Sequence, residues 1–121
     1  MITQLKFVGI PVRDQERALR FYTEQLGFAV ATDQAFSEQQ RWIELRVANS
    51  STRVVLFTPE GHEERIGTRF NGAFSCDDVA ATYRQLKARG VTFTAEPQQQ
   101  PWGTFAIFKD PDGNEFVLSS A

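Results

Sequence analysis

The residue types that most often bind transition metals or form covalent intermediates are scarce in this chain. Its 121 residues include one histidine, His62, and one cysteine, Cys76. A structural zinc site needs four soft ligands and a disulfide needs two thiols, so neither can be built within one chain. Any metal would therefore have to be held mainly by oxygen atoms.

The contexts of His62 and Cys76 also favour structural roles. His62 is flanked by Glu60, Glu63 and Glu64, where a metal ligand, a general base or a lid residue could be imagined. Adjacent residues rarely converge on one ion, so a solvated linker is the favoured interpretation. Cys76 precedes a helix start, where the helix dipole could activate a thiol. Strand alternation places it on the apolar side, which indicates inert packing.

The segment DPDGN, residues 110–114, has two interpretations. A calcium loop needs a glycine at its sixth position and a glutamate at its twelfth, but here the glycine is fourth and the twelfth residue is Ala121. Pro111 pre-sets φ for a turn, Gly113 allows positive φ, and the Asp and Asn side chains bond the local backbone. The pattern therefore favours a turn between two strands.

Two segments have the periodicity of an amphipathic helix. The first follows Asp14, a capping residue, and stops at Gly27; the second begins at Asp77 or Asp78 and stops at Gly90. Both run thirteen residues from aspartate to glycine, which suggests a repeat. Each apolar stripe includes a tyrosine that we expect in the core, namely Tyr22 and Tyr83.

Strand-like segments surround each helix in the same order, with one before it and three after it. The first set is LKFVGIPV, FAVAT, RWIELRV and RVVLFT, and the second is FNGAFSC, VTFTA, WGTFAIFK and EFVLSS. Residues 39–42 are echoed by residues 99–102, and residues 54–56 by residues 116–118. The sequence therefore predicts one α+β domain over residues 1–121, built from two tandem βαβββ modules (1–58 and 70–121) joined by a linker (59–69).

The charge balance excludes some classes of partner. Thirteen basic and fifteen acidic residues give a net charge of -2, so no overall field favours a nucleic-acid backbone. No apolar run approaches the ~18 residues of a membrane span, and the first residues lack the pattern of a signal peptide. We expect a cytoplasmic protein without a nucleic-acid or membrane partner.

The paired modules, the segment LRFYTEQLGF and the closing WGTFAIFKDPDGNEFVLSS resemble the vicinal-oxygen-chelate superfamily of glyoxalases, bleomycin resistance proteins and extradiol dioxygenases. The resemblance implies that each module forms half of a cup, that the cupped mixed sheet surrounds a cleft, and that the protein is a homodimer. Enzymes of the family hold a divalent metal there, with ligands on the first and last strands of each module. The matching positions here are Phe7, Val55, Asn71 and Val117.

Three of those positions are hydrocarbon and the fourth is an amide, which is a weak neutral ligand. The sequence therefore predicts no metal and no cofactor, and the resemblance points to the metal-free, bleomycin-resistance-like branch, which sequesters a compound without changing it. Strand alternation turns Phe105 and Ile107 toward the helix and Phe108 toward the cleft. The predicted ligand-binding residues are Phe7, Trp42, Glu44, Arg46, Arg53, Phe57, Asn71, Trp102, Phe108 and Glu115.

Trp42 and Trp102, in equivalent positions of the two modules, could clamp a planar or cationic ligand. The alternatives are that the rings close a small core or a dimer contact, and that the charged residues form a solvated sheet face. The leading hypothesis is a metal-free small-molecule-binding protein for an aromatic or cationic compound. A second is a lyase, isomerase or dioxygenase-type enzyme with a displaced metal or with Glu44 and Glu115 as acid and base. A third is an interaction module.

Overall fold

The computed structural model describes residues 1–35, 37–38, 40–68 and 70–120, and the side chains of Phe70 and Asn71 fall outside that description. The chain divides into two compact units, Met1–Ile66 and Gly67–Ala121. Each unit has a four-stranded mixed sheet and an α-helix, which confirms the α+β class. The division falls inside the segment that the sequence marks as a linker.

The first unit orders its strands β1-β4-β3-β2, with β1 parallel to β4 and the other neighbours antiparallel. A 3₁₀ turn, Glu63–Arg65, follows the sheet. The elements of the sheet and its helix are β1 (Phe7–Pro11), α1 (Gln15–Arg20) with a π-helical turn (Phe21–Gln25), β2 (Ala29–Ala35), β3 (Arg41–Arg46) and β4 (Arg53–Phe57).

The two ends of the first helical segment, which consists of α1 and the π-helical turn after it, lie at the two residues that the sequence predicts. The carboxylate of Asp14 accepts a hydrogen bond from the backbone N–H of Arg17 at 3.1 Å and caps the helix. Gly27, with φ of +81°, ends the helical segment in a conformation that glycine adopts without strain. Tyr22 is fully buried, as predicted. The helix therefore presents one apolar stripe to the sheet.

Alternation along the strands of the first unit also follows the prediction. Ile10 and Val12 are buried, as are Ile43 and Leu45 of β3. Successive side chains of a strand point to opposite faces, so the residues between them lie on the other face of the sheet. That second face carries Phe7, Gly9, Trp42, Glu44, Arg53, Val55 and Phe57.

The second unit repeats this plan with strand order β5-β8-β7-β6, in which β5 is parallel to β8. Its helix is capped by the Asp78 carboxylate, which accepts from the N–H of Ala81 at 3.0 Å, and the chain turns at Gly90, with φ of +91°. The elements are β5 (Phe70–Ser75), α2 (Val79–Ala88), β6 (Thr92–Gln100), β7 (Gly103–Lys109) and β8 (Glu115–Ser119).

Strand β6 is longer than the sequence indicates, because it continues through a stretch that contains Pro97. The pairing with β7 shifts between Ala95 and Gln98, so the proline lies in an irregularity of the ladder. Proline is tolerated there since no ladder hydrogen bond depends on its missing N–H.

The predicted faces of β7 are wrong. Phe108 is 1% exposed and packs against Phe74, Phe93 and Phe116, and Phe93 in turn contacts Tyr83 of α2 at 4.6 Å between ring centroids. Phe108 is therefore a core residue on the helix side and is withdrawn as a ligand-binding residue. Apolar residues occupy both faces of this strand, TFAIF, so alternation of residue type could not distinguish them.

The segment DPDGN forms the turn between β7 and β8, as predicted. The carboxylate of Asp110 accepts from the backbone N–H groups of Asp112 and Asn114, both at 2.9 Å, and from the Asn114 side chain at 2.9 Å. Asn114 also accepts from the N–H of Gly67 at 3.0 Å. The turn thereby ties the start of the second unit to its last hairpin.

No helix within the described ranges combines the length and the hydropathy needed to cross a lipid bilayer.

Candidate functional site

The face of the first sheet turned away from α1 holds a pocket of about 420 Å³. Three of its walls are aromatic side chains that the sequence predicts to bind a ligand, and its floor is Val55, which is almost fully buried. Such a volume lies within the range of about 300–1,000 Å³ typical of small-molecule sites. The lining residues are Phe7, Gly9, Gln40, Arg41, Trp42, Val55 and Phe57.

Pairing of β1 with β4 brings the deepest part of the pocket together. Gly9 lies beside Val55 in the register, and Pro11 lies beside Phe57. A Cβ atom at Gly9 would come within 3.0 Å of Cε1 of Phe57. The absence of a side chain at Gly9 is what lets the Phe57 ring lie across β1.

Trp42 is held on two sides. Its ring meets that of Phe7 edge to face, with 5.5 Å between centroids and 83° between planes. Its Nε1–H donates to Oε1 of Glu44 at 3.2 Å. The indole is nevertheless 37% exposed, so a fixed aromatic surface remains open to a ligand.

Glu44 is the buried acidic residue of this face, with 8% exposure. Its second oxygen, Oε2, accepts from Nη1 of Arg53 at 2.5 Å. The hydrogen bond from Arg53 is the main reason that the pKa of Glu44 lies below its ordinary value, and the Trp42 bond acts in the same direction against the opposing effect of burial. Glu44 is therefore an ionised carboxylate with a hydrogen bond on each oxygen, which makes it a poor general base near neutral pH.

Two glutamines fix the strand ends that carry the aromatic walls. The buried amide of Gln15 donates to the carbonyls of Arg41 at 2.7 Å and Leu56 at 2.9 Å, and accepts from the N–H of Arg41 at 2.9 Å. Gln40 accepts from both the N–H and the hydroxyl of Thr58 at 2.8 Å. Sequence reasoning missed both residues; the one available signal was a glutamine directly after the capping aspartate.

Arg41 lines the pocket and was also missed. Its guanidinium donates to both carboxylate oxygens of Asp33, at 3.1 and 2.6 Å, and to Glu16 at 2.9 Å. These bonds, the one to Asp33 first, raise the pKa of Arg41 above its ordinary value. The ion pairs join α1, β2 and β3 next to Trp42.

Several predicted site residues are not among those that line this pocket. Glu44 and Arg53 lie next to Trp42 on the same face of the sheet, but neither lines the pocket. Arg46 is exposed at the end of β3, and Glu115 is half-buried at the start of β8. Trp102 is 61% exposed in the turn before β7, where its ring stacks on Phe105 at 5.5 Å. The side chain of Asn71 lies outside the described part of the chain.

The two tryptophans are not equivalent in the strand register. Ile43 pairs with Leu56 in the first unit, and Ala106 pairs with Leu118 in the second. Since Leu56 and Leu118 are the matched residues of the sequence echo, the counterpart of Trp42 is Phe105, one residue before Ala106. The prediction of equivalent tryptophans is therefore wrong by three residues.

The donor set at the expected metal positions does not fit a divalent cation. Phe7 packs against Trp42, Val55 forms the pocket floor, and Val117 is the third hydrocarbon; none has a lone pair to give a metal. Across residues 1–35, 37–38, 40–68 and 70–120, no three His, Cys, Asp or Glu side chains are grouped as metal ligands. His62 is exposed, with Nδ1 3.9 Å from Glu64.

The fold and the sequence match a known family. The family model of the Glyoxalase/Bleomycin resistance protein/Dioxygenase superfamily matches residues 4–118. The chain therefore belongs to this superfamily, as the resemblance implies.

Individual relatives align over nearly the whole chain. UcmS2, a protein of known crystal structure, is 38% identical, with a TM-score of 0.88 and 98% of each chain covered. TnmS3 from Streptomyces sp. CB03234, described as an antibiotic binding protein, is 34% identical, with a TM-score of 0.86 and coverage of 98% of this chain and 96% of that one. The bleomycin resistance protein of Klebsiella pneumoniae is 30% identical over 113 residues, which are 87% of this chain and 82% of that protein.

Proposed function

We propose that this chain binds a flat aromatic small molecule in the pocket of its first unit and does not change it chemically. The observation that carries the proposal is the pocket wall itself. Phe7, Trp42 and Phe57 surround a hydrocarbon floor at Val55. Phe7 and Val55 stand at positions where, by the resemblance, the enzymes of the family have metal ligands. A surface of this kind favours ring stacking and burial of apolar area.

The number of aromatic rings in the pocket wall gives an estimate of how strongly a flat aromatic ligand would bind. Each favourable aromatic contact contributes about 0.5–1.5 kcal/mol beyond the burial of its area. Contacts with three rings together would contribute about 2–4 kcal/mol in addition to the hydrophobic term. Because Phe7 and Glu44 already hold Trp42, little side-chain entropy is lost on binding.

Binding is favoured over catalysis because none of the described residues that line the pocket is a carboxylate or a histidine. Glu44, the member of the predicted acid–base pair that belongs to the first unit, is bonded to Arg53 and Trp42, and its pKa is lowered. An efficient general base has a pKa near the working pH and a lone pair facing the substrate. Two relatives support the same proposal, since TnmS3 is described as an antibiotic binding protein and the Klebsiella relative is a bleomycin resistance protein.

Single-tryptophan proteins test the proposal, since the chain has two tryptophans. In Trp102→Phe, Trp42 is the only indole, and a panel of planar aromatic compounds should include ligands that quench its fluorescence with saturation. Mass spectrometry of the released compound should show it unaltered. If no compound in the panel quenches Trp42, the proposal fails and an interaction module becomes the better interpretation.

A metal measurement tests the same proposal independently. Protein purified without chelator should contain nickel, zinc, iron or manganese at well below one ion per chain. One tightly held ion per chain would contradict a metal-free pocket. The homodimer stays a prediction, which light scattering tests.

A further inference from the structure

We infer that the pocket of the first unit selects its aromatic ligand by charge, and that it takes uncharged ring systems in preference to cationic ones. The inference rests on the proposed function, because it concerns the ligand of the same pocket. The sequence leads us to expect an aromatic or a cationic ligand, and the inference selects the uncharged aromatic class.

The first reason is the state of Glu44. A buried carboxylate beside an aromatic surface is the usual counter-ion for a bound cation, but both oxygens of Glu44 already accept hydrogen bonds, from Trp42 and from Arg53. The Arg53 guanidinium also balances its charge at contact distance. These two bonds take two of the four lone-pair sites of the carboxylate, and a cationic ligand at the remaining sites would compete with Arg53 for the same negative charge.

The second reason is that the charges of the sheet leave no net negative charge beside the pocket. Apart from Arg46, which lies outside the pocket, the four strands of the first sheet carry two arginines and two carboxylates, so their charges balance. Lys6, directly before β1, adds a positive charge that acts on Glu44. The neighbouring Glu16 is engaged by Arg41, as is Asp33. The arginines and carboxylates of the sheet are Arg41, Arg46, Arg53, Asp33 and Glu44.

The aromatic walls do not reverse this preference. A cation over an indole face gains only a weak attraction at an exposed site. Moving that cation from water onto the apolar floor at Val55 costs its hydration, and none of the described residues that line the pocket is a carboxylate that could compensate for the loss. An uncharged ring gains the stacking and the burial without this cost.

Two probes with the same tricyclic skeleton test the inference. Acridone is uncharged, and 9-aminoacridine is a cation at neutral pH. Isothermal titration calorimetry of the wild-type chain should give an affinity for acridone at least tenfold higher than for the aminoacridinium ion. A tenfold ratio of affinities corresponds to a difference of about 1.4 kcal/mol in binding free energy.

Variants of the Arg53–Glu44 ion pair then test whether this pair causes the preference for acridone. Arg53→Gln removes the positive charge that balances Glu44. The carboxylate can then attract the aminoacridinium ion, so the preference for acridone should shrink about tenfold. Arg53→Lys keeps the positive charge and should keep the preference. The double variant Glu44→Gln with Arg53→Gln removes both charges while preserving an acceptor for the Trp42 indole, and it should restore the preference toward that of the wild type.

The outcomes separate the inference from the function on which it rests. Failure of both probes to bind the wild-type chain overturns the proposed function and the inference with it. Equal affinities of the wild type for acridone and the aminoacridinium ion overturn the inference alone. An acridone preference that Arg53→Gln leaves unchanged also overturns it, because the ion pair is then not its cause. The wild-type comparison decides the question even if Arg53→Gln does not fold.

Discussion

Replacing Gln15 by alanine removes the amide that joins the start of β3 to the end of β4. Three hydrogen bonds are lost, two to the backbone of Arg41 and one to the carbonyl of Leu56. A typical intramolecular hydrogen bond contributes about 0.5–1.5 kcal/mol, and buried backbone groups left without a partner add to the cost. We therefore expect Gln15→Ala to lower the free energy of unfolding by about 2–4 kcal/mol, from these three bonds.

Urea denaturation monitored by circular dichroism measures this loss. With a slope of about 2 kcal/mol per molar urea, the midpoint should fall by about 1–2 M. The matched control is Gln85→Ala, an exposed glutamine of α2, which should change stability by less than about 0.5 kcal/mol. If Gln15→Ala lowers the free energy of unfolding no more than its control does, the Gln15 amide does not stabilise the strand ends beside the pocket, and the role given to it here is wrong.

Three further results are expected. Trp42→Ala should weaken acridone binding about tenfold or more through loss of ring stacking, measured by calorimetry, whereas unchanged affinity would place the ligand elsewhere. Because the folded pKa of Glu44 is depressed, its contribution to stability is present above the ordinary value of 4.5 and is lost as pH falls through the folded pKa. The stability difference between wild type and Glu44→Gln should therefore be constant from pH 7 to about 5 and should shrink in more acidic urea titrations; a difference that grows there would refute the assignment. Gly67→Ala should destabilise more than Gly61→Ala in thermal melts. Both glycines have positive φ, but of the two only Gly67 has a backbone atom, the Asp112 carbonyl oxygen, where a Cβ would lie. Equal losses of stability would contradict this.

Much of the fold follows from local signals in the sequence. Asp14 and Asp78 cap their helices, and glycines with positive φ end the helical segments, because these effects act within one turn. In the strand RWIELRV, apolar and polar residues alternate cleanly, so the faces of Trp42 and Glu44 are predicted correctly. In TFAIF both faces are apolar, and the prediction for Phe108 fails for that reason.

The parts of the site that sequence reasoning missed depend on contacts between distant residues. Gln15 acts on Arg41 and Leu56, which are 26 and 41 positions away, and no local pattern encodes that pairing. Arg41 lines the pocket from β3, and its ion pairs there depend on carboxylates that α1 and β2 supply. The mismatch of Trp42 with Trp102 arises because an echo of residue letters does not fix strand register, which the backbone pairing sets.

A crystal structure of the wild-type chain with bound acridone would show directly where an aromatic ligand binds. We expect the ring system against Trp42 in the pocket of the first unit, in contact with Phe7 and Phe57 and above Val55. Acridone bound at another surface, or an ordered metal ion at Phe7 and Val55 in its place, would contradict the claim that this pocket binds aromatic molecules without a metal.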